Sequence, residues 1–394
     1  MDLTTLASTK TTFCLPTSKS IEQEDKIHED FLSGIDLNEY TYPQLHQNTY
    51  NSSNGNSNPN IITHLQWLDS SSILTKSTDN AFRVYIPPSD LLDSRTEQQL
   101  IPFIRCFHNT SIQSFETHPL SSVYRGSIPT LVSSNDMPLK LVDLIPGGGN
   151  GKYRLLKTFN NMNQYNEKYE SFLALKFVDG GERFIAGGGG KMLKLFDVNR
   201  TGPIRDIENI KGLISTITVS FSEFGYAGFY TGGFNGHLSI HDSQGTIVES
   251  TKMNPMDGNG ISQILESKNG KYLYVVSRNS GHIRVLDLRM GLQQLSTYDL
   301  KLESVDLGSQ RVFGDVLDRS QGLMIGGTNG LIHWFKDAEL GQSTNHVTYD
   351  LLDASGATIN NLKVNPDDNN ILALGIGDRE HTNFGLNISN CTEY

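Results

Sequence analysis

Residues 260–289 read GISQILESKNGKYLYVVSRNSGHIRVLDLR and contain three short strand patterns in succession. The patterns cover residues 261–265 and 272–276 and end a third time at Leu286-Asp287. Each is rich in alternating apolar and β-branched residues, as half-buried strands are. Ser280-Gly281 lies between the second and third patterns, where a tight hairpin turn needs residues that tolerate a positive φ. The segment therefore predicts short β-strands joined by tight turns.

The first of these patterns recurs along the chain. It is found seven times, with successive copies 42 to 60 residues apart, at 64–68, 112–115, 172–177, 214–217, 261–265, 313–317 and 359–364. A second pattern follows every copy, and a third is clear after six of them. Repeats of about 40–45 residues with several strands are typical of WD-repeat propellers, and loop insertions lengthen the spacing. We therefore predict an all-β fold, a seven-bladed WD-repeat β-propeller over residues 61–394.

The third patterns carry a degenerate form of the Trp-Asp signature. Val142-Asp143, Phe196-Asp197, His241-Asp242 and Leu286-Asp287 keep the aspartate and replace the tryptophan. The seventh repeat lacks a clear third strand, and its sheet is expected to take a strand from the residues just before Ile61. A propeller suits such a chain, because short sheets around a channel leave only short, protected edges.

Residues 1–60 differ from the repeats in charge and composition. They hold eight acidic residues against three lysines, and residues 47–60 (QNTYNSSNGNSNPN) are almost wholly polar. Such a segment buries too little apolar surface to offset the entropy lost when it becomes ordered. We predict a disordered, acidic N-terminal tail, in which residues 31–37 (FLSGIDL) are either a short binding segment or part of the linker.

The composition predicts a protein of the cell interior. No stretch reaches the about 18–20 apolar residues of a membrane span, and the N-terminus lacks a basic flank followed by an apolar run. Cys14, Cys106 and Cys391 match no zinc spacing and no disulfide framework, so free thiols are expected. The net charge of −11 argues against binding to bare nucleic acid through overall charge, so a role with RNA needs a local basic patch.

Two glycine-rich stretches resemble phosphate-binding loops but lack their key positions. In PGGGNGKY at 146–153 and GGGGKM at 187–192, both the early glycine and the Ser/Thr after Gly-Lys are missing. Strand patterns follow both stretches, so no helix N-terminus would face a phosphate. The sequence also lacks nucleophile elbows, zinc-protease motifs and paired-cysteine ligand sets. We therefore predict a non-catalytic protein without cofactor or metal. A propeller enzyme is an alternative hypothesis, ranked after the two non-catalytic functions described below.

A partner is expected on one rim of the propeller. The loops that lead into first strands and the turns between second and third strands share this rim, and functional contacts concentrate in such loops. Aromatic side chains interleaved with cations stack single-stranded bases and hold phosphates, although a solvated loop explains each residue alone. The candidates for this partner-binding rim are Arg105, Phe107, His108, Tyr165, Lys168, Tyr169, Lys191, Arg278 and His282, with Lys211 and Arg311 as further cations.

Several stretches resemble the telomerase Cajal-body WD-repeat family and, more closely, its fungal relatives that act in pre-mRNA splicing. They are HLQWLDSSSILTKSTDNAFRVYIPPSDLL at 64–92, CFHNTSIQSF at 106–115, NDMPLKLVDL at 135–144, TFNNMNQYNEKYESFLALKF at 158–177 and the stretch 260–289 quoted above. The resemblance covers most of residues 62–337, without the tail and with a weak match in the last repeat. It implies a nuclear, non-catalytic protein that associates with small nuclear ribonucleoprotein particles (snRNPs) and supports mRNA processing by the spliceosome.

The resemblance leaves the partner open. Small nuclear RNA and the proteins of an snRNP are both candidates, because the acidic net charge of this chain argues for a protein surface as much as for RNA. A generic WD-repeat scaffold, such as a ubiquitin-ligase substrate receptor or a chromatin-binding adaptor, fits the bare propeller equally well. For the leading hypothesis we expect a protein of the nucleus, not bound to a membrane, that acts as a monomer within a larger complex.

Overall fold

The computed structural model describes most of the chain from Ile61 onward and one short N-terminal segment. The described residues are 3–9, 61–88, 91–92, 97–145, 153–163, 167–189, 192–220, 228–253, 260–278, 280–300, 311–317, 322–328, 330–336, 346–351, 357–377 and 385–390. They form seven β-sheets, six of four strands and one of five, which is the predicted seven-bladed propeller. None of the helices in these ranges is long and apolar enough to cross a membrane.

Blades 1–6 follow each other along the chain, and each antiparallel sheet runs from the central channel to the outer edge. From the inside outward, the strands of blade 1 are Ile62–Asp69, Ser72–Ser77, Ala81–Tyr85 and Pro102–Phe107. The strands of blade 2 are Ile112–Thr117, Pro129–Ser134, Leu139–Asp143 and Arg154–Phe159. The strands of blade 3 are Phe172–Val178, Arg183–Gly188, Leu193–Asp197 and Pro203–Asp206. The strands of blade 4 are Ile214–Val219, Gly228–Gly233, His237–Asp242 and Ile247–Lys252. The strands of blade 5 are Ile261–Glu266, Tyr272–Ser277, His282–Asp287 and Gln293–Asp299. The strands of blade 6 are Gly314–Val316, Leu323–Gly326, Leu331–Phe335 and His346–Asp350. Within the described residues, single turns of 3-10 helix lie at Asp179–Gly181 and Leu288–Met290.

Blade 7 is assembled from both ends of the chain. Its first three strands are Ile359–Val364, Ile371–Ile376 and Gly385–Asn390, and its fourth is Thr4–Ser8, which pairs antiparallel with the third. A fifth, two-residue strand, Gln98–Gln99, comes from the long connection between the third and fourth strands of blade 1 and runs parallel to the N-terminal strand. The two ends of the chain therefore close one sheet.

Two predictions about the N-terminus are wrong at this point. The propeller does not begin at residue 61, because Thr4–Ser8 belongs to blade 7, and the strand that completes this blade does not come from the residues just before Ile61. The segment is held because it buries Leu6 and Ala7, which are 9% and 0% exposed, while its backbone pairs on both sides. Residues 10–60, with the predicted disordered tail and the segment 31–37, lie outside the described residues.

The N-terminal strand also joins blade 7 to blade 1. Leu6 and Ala7 share one hydrophobic cluster with Leu100 and Ile388, so side chains of three separate chain segments pack together. The backbone N–H of Leu100 donates to the carbonyl of Ser8 at 2.8 Å. The connection in blade 1 therefore clamps the N-terminal strand from its outer side.

Asparagine side chains complete the contact between the first and last blades at the channel. The side-chain amide of Asn360 in blade 7 donates to the carbonyl of Ile62 at 2.8 Å, and Asn365 donates to the carbonyl of Ser70 at 2.8 Å. Both donors are buried, so these bonds satisfy polar groups that water does not reach. They tie the first strand of blade 7 to both ends of the first strand of blade 1.

The degenerate signature positions lie in the core. Phe196 in blade 3 is fully buried and stacks on Phe184 at a centroid distance of 4.8 Å. His241 takes the same position in blade 4, is also fully buried, and has its Nε2 2.9 Å from the hydroxyl oxygen of Thr231. The imidazole thus combines an aromatic face for packing with a polar atom that has a partner, which is why histidine is tolerated there.

The positive φ expected at Ser280-Gly281 is not found at Gly281, but the turns between second and third strands in three other blades do have it. Asn80, Gly236 and Gly330 have φ values of 59°, 77° and 74°, in the left-handed region. Glycine occupies this region without steric cost, and asparagine is the side-chain-bearing residue most often found there. These hairpins place the loops of the rim at the mouth of the channel.

Candidate functional site: a basic rim and the channel below it

The loops that lead into first strands and the turns after second strands are hydrogen-bonded to each other. In blade 4 the N–H of Phe234 donates to the carbonyl of Leu213 at 2.9 Å, and in blade 5 the N–H of Arg278 donates to the carbonyl of Gly260 at 2.9 Å. The two kinds of loop therefore form one rim, as the order of strands predicted.

Arg105 and Phe107 lie in the outer strand of blade 1 and not in the loop that leads into blade 2. The outer strand of blade 1 extends through both residues, because Phe107 still pairs with Ala81. The guanidinium carbon of Arg105 lies 4.9 Å from the ring centroid of Phe107, and that of Arg83 lies 5.7 Å from it. These residues form a cation–π cluster across the third and outer strands of the blade.

His108 reaches the rim but faces inward. Its backbone N–H donates to the carbonyl of Asn80 at 3.0 Å, and its ring stacks on Tyr153 with the centroids 5.4 Å apart. The residue is 7% exposed, so a partner would find little of its surface. Packing explains His108 better than binding does.

The other predicted rim residues are spread over several places. Lys168 is exposed and Tyr169 half-buried in a small hairpin between blades 2 and 3, where Tyr169 forms an isolated bridge with Met162. His282 begins the third strand of blade 5. Tyr165 and Lys191 lie outside the described residues.

Arg278 is the predicted residue with the clearest surroundings. Its guanidinium carbon lies 4.2 Å from the ring centroid of Phe234, and the guanidinium carbon of Arg311 lies 5.8 Å from the same ring. Burial lowers the pKa of Arg311, and the positive charge of Arg278 lowers it further. Neither arginine forms an ion pair with a residue that the structure describes. Two neighbouring cations thus share one aromatic ring without an acidic partner.

Further cations extend this surface over blade 4. Lys211 and Lys252 are exposed and lie close to His237, whose pKa is lowered first by burial and then by these two positive charges. Together they define the basic rim, which consists of Lys211, Phe234, Lys252, Arg278 and Arg311. It spans blades 4 to 6 at the mouth of the channel.

The channel below the rim is also rich in positive charge. It has a cavity volume of about 810 Å³ and is walled mainly by the first strands of the blades. Its charged lining residues are the cations Lys76, Lys176, Lys268, Arg311 and Lys363 and the carboxylates Glu116 and Asp315. A net positive channel in a chain with a net charge of −11 is a local reversal of charge.

The channel cations fall into two kinds. Lys176 pairs with Glu116 at 2.5 Å, and Lys363 pairs with Asp315 at 3.3 Å. In contrast, Lys76 has no ion pair within the described part of the chain, and burial lowers its pKa. Lys76 and Arg311 are therefore cations without an ion pair among the described residues, and Asp79, which acts on Lys76, is already paired with Arg83.

His64 reports on the electrostatics of the channel. Its ring is half-buried in the wall, in edge-to-face contact with Phe115 at 4.8 Å. Its pKa is lowered to about 3, first by burial and then by the positive charges of Lys363, Lys176, Lys76 and Arg311. His64 is thus neutral near pH 7, mainly because burial disfavours the charged imidazolium and further because the neighbouring cations do.

The cations of the channel were missed because the sequence interpretation searched loops. Lys76 and Lys363 lie inside strand patterns, where lysine reads as the solvent-facing residue of an alternating strand. In a propeller the first strand faces the channel, so its polar positions line the cavity. A lysine recurring within first- and second-strand patterns was the available signal.

The described residues contain no cluster of three or more His, Cys, Asp or Glu side chains arranged to hold a metal ion. Cys106 is a free thiol, as predicted, and its Sγ donates to the carbonyl of Leu144 at 3.2 Å. Burial raises the pKa of this thiol to about 12, so it is a packing residue and not a nucleophile.

Comparison with known proteins places the chain near a group of fungal relatives. No family model matches it. It is 29% identical to the Protein SWT21 of Kluyveromyces lactis over 85% of each chain, and 26% identical to that of Vanderwaltozyma polyspora over 84% of this chain and 80% of the relative. Among solved structures, the WD40 β-propeller domain of Doa1 is similar in fold, with a TM-score of 0.57, 13% identity, and coverage of 86% of this chain and 95% of that one. The fold class is thus a WD40-type propeller, and the similar proteins are fungal proteins named SWT21.

Proposed function

We propose that this chain is a non-catalytic nuclear WD-repeat protein that associates with snRNPs and supports pre-mRNA splicing. The resemblance of residues 62–337 to splicing-associated fungal propellers supports it. The fungal relatives match over most of their length, which agrees with the fungal side of that resemblance. The observation that carries the proposal is the group of Arg278, Phe234 and Arg311 on the basic rim.

This group has the chemistry of a contact to single-stranded RNA. A guanidinium forms paired hydrogen bonds to phosphate oxygens, and an aromatic face stacks on a base of any identity. Arg278 and Arg311 lie 4.2 Å and 5.8 Å from the Phe234 ring centroid, so both functions are available within one small surface. A cluster of carboxylates on an snRNP protein would satisfy the same cations without stacking.

The experiment is affinity purification of the full chain from fungal cells, with sequencing of the RNA and mass spectrometry of the proteins that come with it. We expect small nuclear RNAs and snRNP proteins to be enriched, and the tagged protein to be nuclear by microscopy. Recovery of cullin adaptors or histones without small nuclear RNA would instead assign the chain to the generic scaffolds.

A paired substitution tests the rim itself. Phe234→Ala with Arg278→Glu removes the ring and reverses one charge, and should reduce the recovery of small nuclear RNA at least tenfold. Lys271→Glu is the matched control, because Lys271 lies in the loop between first and second strands of blade 5, at the opposite end of the channel. If the double variant folds and recovers RNA as the control does, the basic rim is not the contact surface.

A further inference from the structure

We propose that the central channel is a binding site for a compact anion that carries several phosphate groups, with Lys76 and Arg311 as its principal ligands. The basic rim was assigned above to a partner outside the propeller, whereas this site lies within the ring of blades and shares only Arg311 with the rim. It does not depend on an association with snRNPs.

The first argument is the arrangement of the charges. Lysines reach the channel wall from blades 1, 3 and 7 through Lys76, Lys176 and Lys363, and Arg311 precedes the first strand of blade 6. A ligand in the channel would meet positive charge from several sides. An anion with several separate phosphates uses such a ring of cations better than a single phosphate does.

The second argument is that only some of the channel cations form ion pairs with carboxylates of the protein. The carboxylates of the wall neutralise Lys176 and Lys363, at 2.5 Å and 3.3 Å. Lys76 and Arg311 form no ion pair with the residues that the structure describes, and Asp79, the carboxylate that acts on Lys76, is itself paired with Arg83. Keeping cations partly buried and unpaired costs free energy, which an anionic ligand would recover.

His64 supports a channel ligand in another way, because it is an uncharged side chain beside the cations. It lies where four cations act on it, and it stays uncharged near pH 7 because its pKa falls to about 3. The wall between Phe115 and Phe313, whose rings lie 4.8 Å and 6.1 Å from that of His64, therefore offers a neutral surface beside the cations. A ligand with a ring or sugar bearing phosphates would place its less polar part there.

The size of the channel favours a compact ligand over a chain. Its cavity volume of about 810 Å³ lies within the roughly 300–1,000 Å³ of small-molecule sites. The wall consists of paired strands whose backbone groups already bond to each other, which leaves side chains as the binding groups. We infer a phosphorylated sugar ring or a short polyphosphate, two sources of the same chemistry.

The test measures binding of two probes, myo-inositol hexakisphosphate and tripolyphosphate, to the full chain by calorimetry and thermal denaturation near physiological salt. We expect one probe molecule per chain and a raised melting temperature. Tighter binding of the hexakisphosphate would identify a ring-based ligand, and tighter binding of tripolyphosphate a linear one. Binding of neither probe overturns the proposal, as does protection by single-stranded RNA or polyglutamate alone.

Substitution of the unpaired cations separates binding from folding. Lys76→Met and Arg311→Met should each weaken binding at least tenfold, whereas Lys271→Met, in the loop between the first and second strands of blade 5, should bind like the wild type. Without ligand, Lys76→Met should melt at the same or a higher temperature, because an unpaired, partly buried charge is removed. A purely structural lysine would give the opposite sign.

The two variants also guard against a failure to fold. Should Lys76→Met not fold, Arg311→Met carries the test, since its side chain lies at the mouth of the channel. Wild-type affinity in a folded variant of either residue would overturn the proposal. Loss of probe binding with normal recovery of small nuclear RNA, or the reverse, would show that channel and rim serve different ligands.

Discussion

Blade 3 and blade 7 reach the same four-stranded arrangement by different routes. Blade 3 is built from the continuous segment 172–206, in which every strand pairs with the next one along the chain. Blade 7 takes its first three strands from the C-terminal part and its fourth from Thr4–Ser8, and its edge is covered by Gln98–Gln99 from blade 1. The first sheet is a local structure, whereas the second exists only when distant parts of the chain have met.

The difference has a consequence for stability. Strands that follow each other usually pair, so a local blade has few ways to be assembled wrongly. Blade 7 instead closes the ring, through its contacts with blade 1. We therefore expect changes in the N-terminal strand to destabilise the whole propeller. Substitutions in blade 3 should lower the free energy of unfolding only by the packing that the removed side chains contribute.

The largest effect is expected from deletion of residues 1–9. It removes the buried Leu6 and Ala7 and exposes the edge of Gly385–Asn390, where Leu386 and Ile388 are fully buried in the intact protein. The loss should exceed about 5 kcal/mol, which is comparable to the whole stability of many domains. Thermal and urea denaturation followed by circular dichroism measure it.

An internal deletion provides the control for this variant. Removal of residues 15–50 keeps Thr4–Ser8 in the chain, and a peptide of residues 1–12 can be added to the truncated protein. We expect the internal deletion to melt near the wild type and the peptide to restore part of the lost stability. Equal destabilisation by both deletions would contradict the role of this strand.

The second effect belongs to blade 3 and concerns Phe196→Ala. The ring is fully buried and lies against Phe184, Phe159 and Phe172, with the Phe184 centroid 4.8 Å away. Its removal should cost about 3–5 kcal/mol through lost burial and a residual cavity. Urea denaturation gives the value. A cost below about 1 kcal/mol would mean that this blade tolerates the loss of its signature residue.

Blades 3 and 7 also show what the sequence could and could not predict. The strands around Phe196 and Ile261 were predictable, because apolar alternation and turn residues are local signals. The role of Thr4–Ser8 was not, since five residues whose only buried apolar side chains are Leu6 and Ala7 carry little pattern inside a polar tail. Arg278 was predictable from its turn. Whether a carboxylate forms an ion pair with Lys76, in contrast, depends on how the blades assemble around the channel, which local sequence patterns do not show.

A third prediction compares Phe196 with His241, which fills the same position in blade 4. Burial lowers the pKa of His241 to about 4, against an ordinary value of 6.5, so the folded state holds the neutral imidazole while the unfolded chain takes up a proton. The free energy of unfolding should therefore fall as the pH drops from about 6.5 to about 4, by up to about 3 kcal/mol for this residue. Urea denaturation at a series of pH values measures the slope.

The variant His241→Phe removes the titrating group and keeps an aromatic ring. It leaves the hydroxyl of Thr231 without the contact that it makes at 2.9 Å, so some stability is lost at every pH. The pH slope should nevertheless become smaller than in the wild type, with Phe196→His in blade 3 giving a steeper one. An unchanged slope in His241→Phe would assign the acid sensitivity to other groups, such as His64 or His333.

The smallest effect on stability is expected at the basic rim, in the double variant Lys211→Glu and Arg278→Glu. Exposed substitutions usually stay within about ±0.5 kcal/mol, and loss of the contact between Arg278 and Phe234 adds about 0.5–1 kcal/mol. The ring closed by blade 7 should thus be intact while binding is altered.

If the rim holds RNA phosphates, each lost contact should flatten the dependence of log affinity on log salt by about 0.7 for a single strand. Fluorescence anisotropy with a short single-stranded RNA over a salt series measures this slope. Weaker binding with an unchanged slope would point to a stacking or protein contact in place of phosphates, and unchanged binding would leave the channel as the remaining cationic site.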